Sequence, residues 1–150
     1  MKRSFDLFLA CILMFILFIP MLIVALAVKL SSEGPVLFVS DRVGQDNHLF
    51  KMLKFRSMKL GTPTVGTHLL IEPEKFLTTL GSYLRQSSID ELPQLWNIIQ
   101  GDMSFVGPRP ALYNQSDLIA LRTEKSIDSM LPGLTGWAQI NGRDDLSIHD

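Results

Sequence analysis

The chain is 150 residues long, with a net charge of −1 and a sequence pI of about 6.3. That length suits one modest domain, and so weak a global field argues against the broad basic surface that nucleic-acid binding uses. The single cysteine, Cys11, excludes a disulfide framework and reads as a small apolar residue.

Apolar residues are concentrated at the N-terminus. Leu7 to Val28 is a run of 22 residues without a charge, long enough to cross a bilayer as a helix. Three readings of residues 1–30 compete. A cleaved leader is suggested by Lys2-Arg3 and Ala25-Leu26-Ala27, but the run is longer than a usual signal core. A single spanning helix fits the length, and Pro20 would kink it by removing one backbone hydrogen bond. A re-entrant helix, broken at Ile19-Pro20 and returning to the same face, fits the flanking charge. Lys2 and Arg3 precede the run, and Lys29, Arg42, Lys51, Lys54, Arg56 and Lys59 follow it. Positive flanks prefer the cytoplasm, so two basic flanks favour ends on one side. On the residues alone, spanning and re-entrant stand level.

Residues 31–150 read as one globular domain. Ser31-Ser32-Glu33-Gly34-Pro35 is turn chemistry. Residues 36–39 and 48–58 read as short extended segments around a turn from Asp41 to Asn47, and 61–68 as a loop. A helix is expected over 73–85: Pro73 suits a first helical position, and Phe76, Leu77, Leu80 and Leu84 form one stripe. A second is expected over 93–100, with Leu92, Leu95, Trp96 and Ile99 inward and Gly101 as its stop. A third is expected over 116–129, before Pro132-Gly133 and Gly136 break the chain. The fold class is α+β, mainly helical.

The stretch with most chemistry is Arg85-Gln-Ser-Ser-Ile-Asp90-Glu91-Leu-Pro-Gln-Leu-Trp-Asn97, followed by Gly101-Asp-Met-Ser-Phe-Val-Gly107-Pro108-Arg109-Pro110. Either Ser88, in a capping box with Glu91, or Asp90 would cap the helix containing Pro93. Both carboxylates then sit at its positive end with Arg85 close behind, which favours an ionised Asp90. Such an Asp can be a nucleophile toward phosphorus. Glu91 could bind Mg²⁺ or handle a proton, and Asp90 and Glu91 together form the minimal carboxylate set for that ion. Arg85 and Arg109 offer planar forks for phosphate oxygens. The plainer alternative is a capped helix with surface salt bridges. Lys54 and Arg56 form a basic patch for phosphate, each charge near an anionic surface contributing about 1 kcal/mol, or else a solvated strand face. Gly107-Pro108 could order backbone amides around a phosphate or make a rigid turn. His48, His68 and His149 lack metal-ligand spacing.

Together these segments resemble the bacterial sugar transferases of the monotopic phosphoglycosyl transferase family. The resemblance rests on Arg3-Ser-Phe-Asp-Leu7 entering the apolar helix, Lys54-Phe-Arg-Ser-Met58, Ser88 to Asn97, Gly101 to Pro110, and Pro132-Gly-Leu-Thr-Gly-Trp-Ala-Gln-Ile-Asn141-Gly-Arg143. It implies transfer of a sugar 1-phosphate from a UDP-sugar to polyprenol phosphate, releasing UMP, as the first membrane step of glycan assembly. Asp90 would attack the β-phosphate, Glu91 would support Mg²⁺ or proton handling, and Arg85 and Arg109 would contact phosphate. The same resemblance implies a re-entrant helix in one leaflet of the bacterial inner membrane, on the cytoplasmic face, with further glycan-assembly enzymes as partners. Ile19 departs from the Ser that often precedes the helix-breaking Pro. Family members usually continue well beyond the Asn-Gly-Arg segment, so a short member, a truncated product and a partial chain are open readings. The competing class is a non-catalytic, membrane-tethered subunit that binds a nucleotide sugar or lipid phosphate. The segments from Gly61 to Leu70 and from Ala111 to Met130 are candidate sugar determinants.

Overall fold

The computed structural model describes residues 1–63 and 71–141. In chain order the elements are α1 (Lys2–Ser31), β1 (Leu37–Val43), β2 (Leu49–Phe55), α2 (Gly81–Gln86), α3 (Gln94–Gln100), β3 (Ser104–Val106), β4 (Ala111–Leu112), α4 (Ser116–Glu124), β5 (Gly133–Thr135) and α5 (Trp137–Ile140). This is a mixed α/β fold led by one long apolar helix.

Helix α1 takes in the whole apolar run without interruption, Pro20 included. Asp6, Ala10, Leu13, Met14, Leu17, Met21, Val24, Ala25 and Val28 recur at three- and four-residue spacing and face the rest of the chain. Ile19 is exposed on the side opposite this stripe, and Pro20 is exposed at its flank. Packing on one face both before and after Pro20 keeps the helix in a single piece, so the expected break at Ile19-Pro20 is not seen. Both ends are tied to the same body. Lys2 Nζ donates to the Val106 carbonyl at 2.7 Å, and Ser104 Oγ donates to buried Asp6 at 2.8 Å. The Arg3 guanidinium donates to the carbonyls of Ile98 and Ile99, satisfying the end of α3. At the other end Val28 packs with Phe55 and Leu84.

Strands β1 and β2 pair antiparallel, Leu37 opposite Phe55 through to Val43 opposite Leu49. Asp46 and Asn47, at φ 52° and 60°, make the turn, a left-handed conformation that Asp and Asn tolerate better than most residues. Thus β1 extends into the segment expected as a turn, and β2 ends three residues earlier than expected. Strand β4 pairs with the far side of β1, and β3 pairs parallel with β5 in a separate two-stranded sheet. Strands of two or three residues are too short to show alternation in a sequence.

The expected helix over 73–85 is divided. A 3-10 turn covers Pro73–Phe76, Leu77 is extended and bridges Met58, and α2 starts at Gly81. Thr78 donates its N–H to the Ser57 carbonyl at 3.0 Å, and a Cβ on Gly81 would lie 2.0 Å from the same oxygen. Pairing with the 57–58 backbone wins over helical continuation.

Helix α3 stops at Gly101, whose φ of 102° suits glycine, as expected. Leu95 and Ile98 are buried, whereas Trp96 is 48% exposed and does not point inward. Buried Asn97 donates to the Lys51 carbonyl at 2.8 Å and accepts from the Leu53 N–H at 3.0 Å. Its amide thereby serves as a short surrogate strand on the outer edge of β2. Helix α4 ends at Glu124, earlier than expected, with Ser126 at φ 55° just beyond.

Candidate active site

Asp90 occupies a 3-10 turn, Ile89–Glu91, entered through Ser88 at φ 57°. Pro93 precedes the first residue of α3, and neither helix start has a side-chain cap. The carboxylates therefore stand one turn ahead of α3 and do not cap it; a separate turn lets Pro93 keep the start position where its missing N–H is harmless. Asp90 is 5% exposed. Burial pushes its pKa above the usual aspartate value; Lys54 opposes that, Glu91 reinforces it, and Arg85 and a backbone hydrogen bond oppose it. The cations expected from the sequence do act in favour of the ionised form, while loss of water shifts the pKa the other way.

Asp90 faces a cleft between β1, the end of β2, the segment after it and α2. Its lining includes Ser40, Arg42, Lys54, Arg56, Ser57, Lys59 and Arg85, and the space amounts to about 970 Å³ including open solvent at the mouth. Among the described lining residues there are five Lys or Arg side chains, and Asp90 is the only carboxylate. Lys54 Nζ donates to Glu91 Oε1 at 2.7 Å, a half-buried ion pair that fixes Lys54 beside Asp90. Arg85 approaches Met58 Sδ at 3.6 Å. Arg56 is buried, with Nη2 donating to both Ser32 O and Ser32 Oγ at 2.8 Å. Its Nε and Nη1 have no hydrogen-bond partner among the described residues.

Of the residues singled out from sequence, Lys54, Arg56, Arg85 and Asp90 therefore meet in one cleft, with Glu91 bound to Lys54. Arg109 is not in its described lining; its carbonyl accepts from Arg122 Nη1 at 2.8 Å. Gly107 donates its N–H to Thr135 O, and the Pro108 carbonyl accepts from Gly133 N. A Cβ on Gly107 would lie 2.3 Å from Leu131 O, so this glycine serves the close crossing of β3 and β5. Asn141 Nδ2 donates to Trp137 O at 2.9 Å and closes α5, and Arg143 lies outside the described residues.

Asp90 and Glu91 fit Mg²⁺ only as the one or two carboxylates that supplement substrate phosphates. No group of three or more His, Cys, Asp or Glu side chains suited to a metal occurs among the described residues. Arg42, Lys59 and Ser40 are site residues that the sequence reading did not identify. The register supplies a signal: Phe38, Ser40 and Arg42 alternate along β1 and share a face with Lys54, which stands opposite Phe38.

The model of the bacterial sugar transferase family matches residues 1–150, and the chain belongs to that family. It is 40% identical over 144 residues to a UDP-glucose:undecaprenyl-phosphate glucose-1-phosphate transferase of Escherichia coli (strain K12), covering 95% of this chain and 31% of that protein. It is 42% identical over 149 residues to the uncharacterized sugar transferase EpsL of Bacillus subtilis (strain 168), covering 98% of this chain and 71% of that one. A UDP-N-acetylgalactosamine-undecaprenyl-phosphate N-acetylgalactosaminephosphotransferase of Aeromonas hydrophila is also 40% identical, over 93% of this chain and 33% of its own length. The chain thus spans about a third of two of these relatives. Equal identity to relatives named for different sugars gives no ranking of donors.

Proposed function

We propose that this chain transfers a sugar 1-phosphate from a UDP-sugar to polyprenol phosphate, releasing UMP, with Asp90 as a covalent nucleophile. The observation that carries this reading is the buried Asp90 carboxylate, alone of its charge on a described cleft wall bearing five cations. That charge balance suits a pyrophosphate and a phosphate monoester used in turn. Relatives named for UDP-sugars and undecaprenyl phosphate supply the substrate classes.

An Asp90 oxygen bonds to the β-phosphorus while the bond from that phosphorus to the bridging oxygen breaks, and UMP leaves with the electron pair. An oxygen of polyprenol phosphate then bonds to the same phosphorus, and the Asp90–phosphorus bond breaks to restore the carboxylate. Splitting the displacement in this way makes two easier steps of one hard one. Lys54 and Arg85, both near enough to lower the Asp90 pKa, would stabilise the negative charge that builds on phosphate oxygens in a site that excludes much of the water. Mg²⁺ held by Glu91 and Asp90 with the substrate phosphates would neutralise further pyrophosphate charge.

The site belongs at the cytoplasmic face of a bacterial inner membrane. Helix α1 exposes Phe8, Phe15, Phe18, Ile19 and Ile23 on one side while both its ends bond to one globular body. Lipid takes up the exposed side, and both ends stay on the same face of the bilayer. Pro20 already removes one backbone hydrogen bond from α1, so Ile19-Pro20 is where a re-entrant bend would form as the helix enters the bilayer. The lipid-linked product is an input for further glycan-assembly enzymes.

Asp90→Asn tests the reading. UMP release from a UDP-sugar should fall by roughly a thousandfold or more, with the variant folded and membrane-bound. Undiminished turnover in that variant removes Asp90 as nucleophile. A parent chain that binds UDP-sugar without releasing UMP selects the non-catalytic binding subunit.

A further inference from the structure

One end of the cleft is apolar and adjoins the end of α1. Leu26 and Leu30 are exposed on the last turns of α1, and the chain then passes through Gly34 to Pro35, where the cleft wall begins. Leu37, Phe38 and Leu60 continue that wall, all with substantial exposed area. Leu60 stands over Gly34: a Cβ there would come 3.0 Å from Leu60 Cδ1 and 2.1 Å from Arg56 Nη1. Beneath this apolar lip lies the Arg56 guanidinium, 3% exposed, with two N–H-bearing nitrogens lacking partners and no carboxylate in ion-pair range among the described residues. A buried cation without a counter-charge is costly unless a ligand supplies one. Phe38 is opposite Lys54 in the β1–β2 register, so the apolar wall ends beside the Lys54–Glu91 pair and Asp90.

We infer that the wall formed by Leu37, Phe38 and Leu60 is the subsite for the first isoprene units of the lipid acceptor. The chain would run from the exposed end of α1 over Gly34, and its phosphate would enter the cationic cleft above Arg56. This rests on the proposed acceptor being a polyprenol phosphate, and it adds which part of the cleft receives it. Two features select this occupant over a nucleotide. The wall lies beside the end of the apolar helix, where Arg56 bonds Ser32, and it joins an apolar surface to a buried cation that has no counter-charge among the described residues, the complement of an isoprenyl phosphate. A uridine would need polar partners for its base, which Leu37, Phe38 and Leu60 do not provide.

The test is equilibrium binding by the full chain in detergent, with farnesyl phosphate as probe and farnesol and inorganic phosphate as the two half-ligands. Farnesyl phosphate should bind more tightly than either half-ligand. Phe38→Ser and Leu60→Ser should each weaken it by about tenfold, the scale expected when a large apolar contact is removed, while inorganic phosphate binding changes less than farnesyl phosphate binding. Parent-like affinity for farnesyl phosphate in both variants overturns the assignment. So does a fall in thermal stability without a fall in affinity, which would mean that the chain itself covers the wall. Because this readout needs no turnover, a failure of the proposed reaction, seen as absent UMP release, is distinguishable from a failure of this subsite.

Discussion

At Asp90 a single side chain is governed by opposed forces of similar reach. Burial raises its pKa, Lys54 and Arg85 lower it, and Glu91 raises it. The ionised nucleophile is needed for attack, so UMP release should rise with pH through a midpoint above that of an ordinary aspartate. Lys54→Met removes a lowering charge and should move that midpoint to higher pH. Glu91→Gln removes a raising charge and should move it lower. A pH–rate profile of the first UMP burst reads both shifts, and movement in the same direction would contradict the electrostatic account. The same raised pKa has a stability consequence. A carboxyl group with a folded pKa above its unfolded value contributes stability below the unfolded value and loses it as pH rises through the folded one. Asp90→Asn should therefore match the parent in acid and gain on it toward neutrality, which thermal unfolding at several pH values would show.

Among the elements, α3 carries more than its short length suggests. Its residue Asn97 completes the edge of β2 at Lys51 and Leu53, immediately before Lys54, and its C-terminal carbonyls receive Arg3 from α1. Asn97→Ala would leave the Leu53 N–H and the Lys51 carbonyl without their partner, at a cost of about 2–3 kcal/mol. For a chain of this size that corresponds to a fall in Tm of about 5–10 °C, measurable by thermal denaturation. Activity at low temperature should fall as well, since Lys54 depends on that edge for its place beside Glu91.

For the whole molecule, the informative fact is that α1 does not lead away from the globular part but lies along it. Its two halves enter two separate core clusters, one with Met52, Leu95 and Ile98, the other with Phe55 and Leu84. A helix crossing the bilayer with its ends on opposite faces would draw buried polar contacts such as Asp6–Ser104 into hydrocarbon. Single cysteines at Ser4 and Glu33, in a Cys11→Ser background, should both react with an impermeant thiol reagent from the same side of sealed vesicles. Reaction from opposite sides would establish a spanning helix.

Local pattern was sufficient for the apolar run of α1, the β1–β2 hairpin, the Gly101 stop of α3 and the Asp90-Glu91 pair, because each depends on neighbours within a few residues. The family also followed from motifs in order along the chain. What tertiary structure decided were outcomes of competition between distant segments. The helix expected over 73–85 gave way to pairing with Ser57 and Met58, Trp96 turned outward, and α1 stayed continuous because both halves pack on one body. Arg42 and Lys59 joined the cleft while Arg109 did not line it. Above all, the protonation tendency of Asp90 depends on how much water the fold removes, a quantity that residue order does not contain and packing does.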